Sequence, residues 1–572
     1  MTDHFDAIVV GSGFGGSVSA FELAKGGKKV CLMERGRSYP PGSFPRAPHD
    51  LNQNFWDPSA GLYGLYNVWS FKTMGAIVSS GLGGGSLIYA NVLIRKDPTW
   101  FVQKTDDVNG HEYWPITYEE LEPHYDAVEP MLGAQPYPFA NAPFDRTPKT
   151  RAFKEAAEQM GLNWSLPNLA VTFRPDASSN PTTGEPIQEA LPNLHGRTRY
   201  TCRLVAECDL GCNYGSKNSL DYNYLTHAKH QGAELWTSCE VRRFEPRPEG
   251  GFDVYYVNHN VDDSSEVRDV LRTPAESRIS ADRLILASGT FGTTYLLLKM
   301  RAAGGLPAIS STLGTHFSGN GDFLGFVFGS RKRVNGGWQP RVLNPNLGTV
   351  ITSTLRVPDA EDRPQSQALG SERGFYIQDA GFPAFLSWIA EASQVPSGLR
   401  RGARFGWWWL RNVLSKDPDS DMGAELRDLL GRGDFSSTMM PLLAMGRDVP
   451  DGRMSLTRSG RLALTGNLKS SAAYFERVRE TMKDLATALN GRYRDDPVWL
   501  LKRLITVHPL GGAPMGRTID EGVVDSYGRV FGGPGMYVAD GSVMPGSVGP
   551  NPSLTIAAFA RRVAHGILEE SS

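Results

Sequence analysis

Hydrophobic residues near the N-terminus change their period twice, and the changes predict a strand, a helix and a second strand. Residues 6–10, apolar from Ala7 onward, form a run of strand length. After a glycine-rich turn, Val18, Phe21, Leu23 and Ala24 fall at helical spacing and stop at Gly26-Gly27. Val30–Met33 is strand-like again and ends at Glu34. The theme returns later in the chain. A buried run at Leu284–Ala287 meets a turn at Ser288-Gly289, then a helix from about Phe291. A short strand, Met536–Ala539, ends at Asp540-Gly541. Beyond a proline-rich loop, Asn551 and Pro552 mark the start of a helix of about fifteen residues at Ser553. Gly81–Arg95 sets a glycine cluster before a strand-like alternation, and the polar stretches 174–196 and 258–278 read as surface loops. Strands alternating with helices predict an α/β fold whose first unit is Rossmann-like.

The first turn carries chemistry. Gly11-Ser12-Gly13-Phe14-Gly15-Gly16 opens a helix directly after a strand, and Glu34 stands 23 positions after Gly11. That is the fingerprint of a dinucleotide site. Gly11 permits the tight turn, Gly13 lets the backbone approach a pyrophosphate, and Gly16 lets helix and strand pack closely. The helix N-terminus offers free N–H groups and partial positive charge to phosphates. Glu34 can accept hydrogen bonds from both ribose hydroxyls, while Arg35 beside it leaves plain and phosphorylated ribose both open. The motif alone does not choose between FAD and a nicotinamide cofactor. Several strand ends opening on small residues favour one long ligand over a set of bare turns.

Composition narrows the classes. At 572 residues and 62.6 kDa the chain can bury more than one core. Fifty-nine basic residues nearly balance 61 acidic ones, which excludes the electrostatic footprint of a nucleic-acid binder. A hydrophobic content of 40% argues against disorder despite 63 glycines. No basic leader with an apolar core opens the sequence and no run of eighteen apolar residues occurs, so neither a secretory signal nor a membrane span is expected. Five cysteines, an odd number, suit a reducing cytoplasm, with peripheral membrane attachment left open. Cys202, Cys208 and Cys212 lack a fourth ligand and zinc spacing, so no metal is expected.

Four segments in this order resemble the glucose–methanol–choline (GMC) oxidoreductases, most closely the branch of cholesterol oxidase and its bacterial relatives. They are the first glycine motif, GLGGGSL (Gly81–Leu87), HPLGG (His508–Gly512) and GSVGPNPSLTIAAFARR (Gly546–Arg562). In that family a HPLGG segment precedes a GVNP segment, and here His508 and Asn551 stand 43 positions apart. Cys212–Trp236 also resembles the family, and the likeness is weakest between about 330 and 500. The resemblance implies FAD, without a visible covalent attachment point. It implies an FAD lobe from 1–45, 215–305 and 525–572. A discontinuous substrate lobe built on a β-sheet would take 46–214 and 306–524. His508 then matches the histidine facing flavin and substrate oxygen, and Asn551 the asparagine that replaces a second histidine. Gly11, Gly13, Phe14, Gly15, Gly16, Glu34 and Arg35 match the ADP site, with Val241 beside the adenine. Gly83, Gly84, Gly85 and Ser86 pass the isoalloxazine, with Tyr89 and Asn91 at its edge. Asp540 and Gly541 match positions near the pyrophosphate and ribityl chain, and Gly289, Pro552 and Ser553 are further expected cofactor-binding residues.

The match breaks in two places. Cholesterol oxidase has a glutamate before a short A-x-x-P stretch, where FYIQDAGFPAF supplies Gln378 and then Asp379. A glutamine cannot act as a base, so the sterol branch's double-bond shift should be absent. Asp379 would serve only if the register slips by one, and neighbours on a strand face opposite sides. Tyr89 stands where relatives often place an asparagine. Between Phe382 and Leu414, Trp407, Trp408 and Trp409 lie among Arg400, Arg401, Arg404 and Arg411. Tryptophan and arginine together suit a well-packed lobe, or a lid touching a lipid headgroup layer. The resulting expectation is an FAD-dependent oxidation of a bulky, largely apolar alcohol, with oxygen or another electron acceptor. The alternatives are a fatty acid photodecarboxylase on the same fold, a non-catalytic flavin carrier and a nicotinamide-dependent reductase without flavin.

Overall fold

The computed structural model describes residues 4–46, 53–102, 112–259, 275–360, 370–384, 407, 434–466 and 468–570. β1 (His4–Val10) lies parallel between β2 (Val30–Met33) and the long strand Glu276–Leu286. Glu234–Trp236 extends this sheet beyond β2, and Met536–Val538 pairs in parallel with the end of the long strand. Helices make the sheet buried on both sides, which is why β1 and β2 read as continuous apolar runs. α1 (Phe14–Lys25) packs on Tyr224–His230 and on the C-terminal helix Ser553–Glu569.

The long strand begins well before its apolar run. Its residues 276–281 pair antiparallel with Phe252–Asn258, which pairs in turn with Cys239–Pro246. Asn258 and Glu276–Arg278 are therefore strand residues, not loop. Their side chains are exposed, so hydrophobic patterning carries no trace of them. Gly81–Arg95 departs the other way, forming a 3-10 turn at Gly84–Leu87 and only a two-residue strand, Val92–Leu93. Asn91 at φ 69° turns the chain out of extended geometry between them.

A second sheet of six antiparallel strands draws on residues 163–165, 323–328, 354–357, 375–379, 440–446 and 492–495. Helices Pro148–Gln159 and Ala472–Ala488 pack on it. A small third sheet joins Tyr66–Ser70, Met74–Ser79 and Leu504–Thr506. The last of these strands runs straight into His508. Among the described residues no helix is long and apolar enough to cross a membrane.

Candidate active site

At the first glycine turn, backbone crowding separates two kinds of glycine. A Cβ on Gly16 would stand 1.9 Å from the Gly11 carbonyl oxygen, and one on Gly15 would stand 2.0 Å from that of Ala539. Gly13 meets nothing within 4 Å. Its open face borders the turn that caps α1, and the GLGGGSL loop crosses there, a Cβ on Gly84 falling 2.5 Å from Gly13 Cα. Gly85 and Gly289 also face open space. The side-chain amide of Asn91 and the Tyr89 hydroxyl are buried with no hydrogen-bond partner among the described residues. A slot with bare Cα faces and orphaned polar groups fits a dinucleotide with a polar ring system. We expect Gly13→Ala to fold and yet retain FAD at least roughly tenfold more weakly, because the new methyl fills that slot. Gly16→Ala should fail to fold, because the sterically blocked atom is backbone. Yellow soluble Gly16→Ala protein would refute the packing argument.

Several expected ligands turn out to brace the protein as well. Glu34 accepts from Ser12 N–H at 3.1 Å, from Ser12 Oγ at 2.6 Å and from Gly36 N–H at 2.8 Å, which fixes the turn on which a ribose would rest. Arg35 lies over the Trp56 ring at 5.1 Å. Burial lowers its guanidinium from the ordinary value, opposed by Glu240 and Glu34. Val241 sits at a β-bulge in Cys239–Pro246. Asp540 spends both oxygens internally, one on Gly289 N–H and Thr293 Oγ, the other on Ser542. It ties the start of the helix Gly289–Ala302 to the turn at Gly541, and burial raises its carboxyl above the usual range. Pro552 and Ser553 are buried at the head of the C-terminal helix.

His508 is held by a carboxylate that sequence reading missed. Its Nδ1 lies 2.7 Å from Asp322 Oδ1. The other Asp322 oxygen accepts from Thr506 Oγ at 2.9 Å and from the N–H groups of Val507 and His508 at 2.9 and 3.2 Å. With Nδ1–H donated to a carboxylate, Nε2 keeps the lone pair. Asp322 ends the loop 318–322, and the same loop grips the other expected catalytic segment. Asn320 donates to the carbonyls of Gly549 and Pro550 at 3.2 and 3.1 Å and accepts from Gly549 N–H at 2.9 Å. Asp448 anchors it from below through Ser318, Gly319 and Ser547. One loop thus ties HPLGG to GPNP. The signal for it was SGNGD, where Asn320 and Gly321 both take positive φ.

Asn551 is oriented by Gln378, whose Nε2 donates to Asn551 Oδ1 at 2.7 Å. Among the described residues the Asn551 Nδ2 has no acceptor and is left as a donor. Gln378 and Asn551 are both buried. Asp379 faces away, bonded to Lys149 Nζ at 3.1 Å and to Thr352 N–H and Ser353 N–H at 3.0 and 2.6 Å. It is a paired acid, so the strand Phe375–Asp379 delivers the amide, not the carboxylate, to Asn551. Of the aromatic run, Trp407 is exposed, while Trp408, Trp409, Arg400, Arg401, Arg404 and Arg411 lie outside the described residues.

Comparison with known proteins gives the family and the fold. A family model for GMC oxidoreductase covers residues 451–560, and one for an FAD binding domain covers residues 6–39. A cholesterol oxidase of Mycobacterium tuberculosis (strain ATCC 25618 / H37Rv) is 30% identical over 579 residues, spanning 99% of this chain and 91% of that one. A cholesterol oxidase of Acinetobacter baumannii is 27% identical, spanning 98% and 93%. A long-chain-alcohol oxidase of Arabidopsis thaliana is 23% identical, spanning 99% and 67%. The crystal structure of pyridoxine 4-oxidase from Mesorbium loti superposes with a TM-score of 0.55 over 98% of both chains. At 16% identity that likeness speaks for the fold alone. The flavin-free reductase falls away with the FAD-domain match. The chain belongs to the GMC oxidoreductase family, in the branch of the bacterial cholesterol oxidases, and is an FAD-dependent oxidoreductase of alcohols.

Proposed function

We propose that the protein oxidises a bulky, largely apolar alcohol to its carbonyl, with His508 and Asn551 at the substrate oxygen. The observation that carries this reading is the Asp322–His508 pair, tied through one loop to an asparagine whose amide Gln378 orients. FAD, when bound, supplies the hydride acceptor. The chain's own residues manage the proton. His508 Nε2 takes it from the alcohol while Asp322 fixes the tautomer, and Asn551 Nδ2 holds the oxygen without adding charge. Relatives named as cholesterol and long-chain-alcohol oxidases point to an apolar substrate. The test is an anaerobic screen of sterols, long-chain alcohols and small alcohols, watching for bleaching of the flavin band. Bleaching by small alcohols alone would refute the substrate class. Gln378 offers no base, so a sterol with a neighbouring double bond should yield a ketone with that bond unmoved. Peroxide formed in air identifies oxygen as the acceptor.

An apolar substrate has to be collected, and the surface next to His508 suits a lipid layer. Leu500 and Leu501 are 78% and 72% exposed on a turn that ends at Lys502. Val68, Ile505 and Val507 are also exposed on the adjoining small sheet and its extension. Lys72 and Lys502 are exposed beside them. Apolar tips with cations at their rim match an anionic headgroup layer. The protein should pellet with vesicles of phosphatidylcholine and phosphatidylglycerol more than with phosphatidylcholine alone. The double change Leu500→Asp, Leu501→Asp should leave most of it in the supernatant. Equal pelleting of both proteins would remove this surface from the proposal.

A further inference from the structure

The segment Pro545–Asn551 makes no main-chain to main-chain hydrogen bond among the described residues, so side chains hold its backbone. Asn320 takes Gly549 and Pro550. Lys96 takes the two residues before them, its Nζ donating to the carbonyls of Ser547 and Val548 at 2.9 and 3.3 Å. Lys96 is 1% exposed, and its amine has no carboxylate partner among the described residues. It lies over the rings of Trp114 and Phe101, 4.2 and 5.4 Å from their centroids. Enclosing a lysine is costly unless its donors are used, and here they are used on the backbone that leads to Asn551. Burial lowers its ammonium well below the ordinary lysine value, and in either charge state the amine keeps the two N–H groups these carbonyls need.

We propose that Lys96 is a positioning residue for the reaction, setting Asn551 against the cofactor slot by clasping Ser547 and Val548. This rests on the role given to Asn551 above. The path between slot and clasp is short. Lys96 stands five positions after Asn91, whose orphaned amide faces that slot, and the strand Val92–Leu93 lies between them. The same stretch runs on to Trp100, whose ring closes on Gly549, where a Cβ would fall 2.2 Å from it. On the far side of Asn551, Ser553 Oγ donates to Val92 O at 3.5 Å. Asn551 is thus flanked in sequence, before and after, by contacts to the stretch that leaves the slot at Asn91.

The Asn551 amide then carries two separate constraints. Gln378 fixes its rotation, and the clasp fixes where its backbone stands. Ser547 has a second hold, its Oγ donating to Asp448 Oδ1 at 2.5 Å. A displacement of about 1 Å at a reacting centre can slow a reaction about a hundredfold. Loss of Lys96 should therefore slow the chemical step. It should leave the pH profile alone, because Lys96 bonds to backbone and exchanges no proton in that step.

The test compares wild type, Lys96→Met, Asn551→Ala and the double variant as FAD holoenzymes. The readout is the rate at which an active alcohol bleaches the flavin. Lys96→Met should be roughly ten- to a hundredfold slower at saturating alcohol, with FAD retained and KM and the pH profile little changed. In the Asn551→Ala background it should cost less than about twofold, because the group it positions is gone. Losses that multiply would make Lys96 a residue of the fold alone and overturn the proposal, as would a Lys96→Met enzyme with the wild-type rate. If Lys96→Met does not fold, Ser547→Ala, a gentler loosening of the same segment, decides. A roughly threefold loss that adds nothing to Asn551→Ala supports the proposal, and a wild-type rate overturns it. An Asn551→Ala enzyme as fast as wild type refutes the reading of the site itself, a result distinct from these.

Discussion

His508→Ala should slow the bleaching of the flavin by alcohol on the order of a thousandfold, with FAD still bound. Positioned proton transfer is worth 10²- to 10⁴-fold, and the proposed mechanism assigns it to His508. Asp322→Asn should cost less, about a hundredfold, for a reason visible in its contacts. All four groups that meet the Asp322 oxygens act as donors toward them: His508 Nδ1, Thr506 Oγ, and the N–H groups of Val507 and His508. An amide nitrogen in place of either oxygen would face a donor, so the ring would lose its orientation or its tautomer. The double variant decides whether Asp322 works only through the ring. It should be no slower than His508→Ala alone. Losses that multiply would give Asp322 an independent role, and a wild-type rate for His508→Ala would end the assignment. Stopped-flow measurement at 450 nm under anaerobic conditions supplies all four rates.

What the sequence made legible was local. β1, α1 and β2 announce themselves because an apolar run, a glycine turn and a helical stripe follow each other within 30 residues. His508 and Asn551 were legible only through a motif, and the motif said nothing about how they are brought together. That is done by the loop 318–322, which reaches across 186 positions to His508 and 229 to Gly549. No periodicity marks such a loop, since its residues bond to segments far away in sequence. Gln378 and Asp379 show the same limit. Alternation on a strand said that one of them had to face away, but the side that faces Asn551 depends on register against the flanking strands. There Gln378 pairs with Thr354 on one side and Leu443 on the other. The long strand Glu276–Leu286 was half hidden because its first residues are paired in backbone yet exposed in side chain.

The register of the strand Phe375–Asp379 leads to the largest stability effect we expect. Lys149→Ala should destabilise the fold by about 3–5 kcal/mol, because it leaves a fully enclosed carboxylate without its cation. Lys149 and Asp379 have no exposed side-chain surface. The ammonium donates to Asp379 Oδ2 and to the carbonyls of Asp379 and Val350, at 3.0–3.1 Å. Burial pulls Lys149 below the ordinary lysine value and Asp379 pulls it back, so the pair survives on mutual compensation rather than on solvation. Removing both charges should therefore be milder than removing one, and Lys149→Met with Asp379→Leu should recover part of the loss. The recovery cannot be complete, because Thr352 and Ser353 N–H groups would lose their acceptor. Midpoints of urea unfolding, followed separately by flavin release and by far-UV circular dichroism, check this ordering. A single change that proves harmless would mean the carboxylate finds water or another partner. A double change that proves worse than the single one would mean the pair binds the strand more strongly than its burial costs. In either case Asp379 would not be the passive anchor that leaves Gln378 to face Asn551.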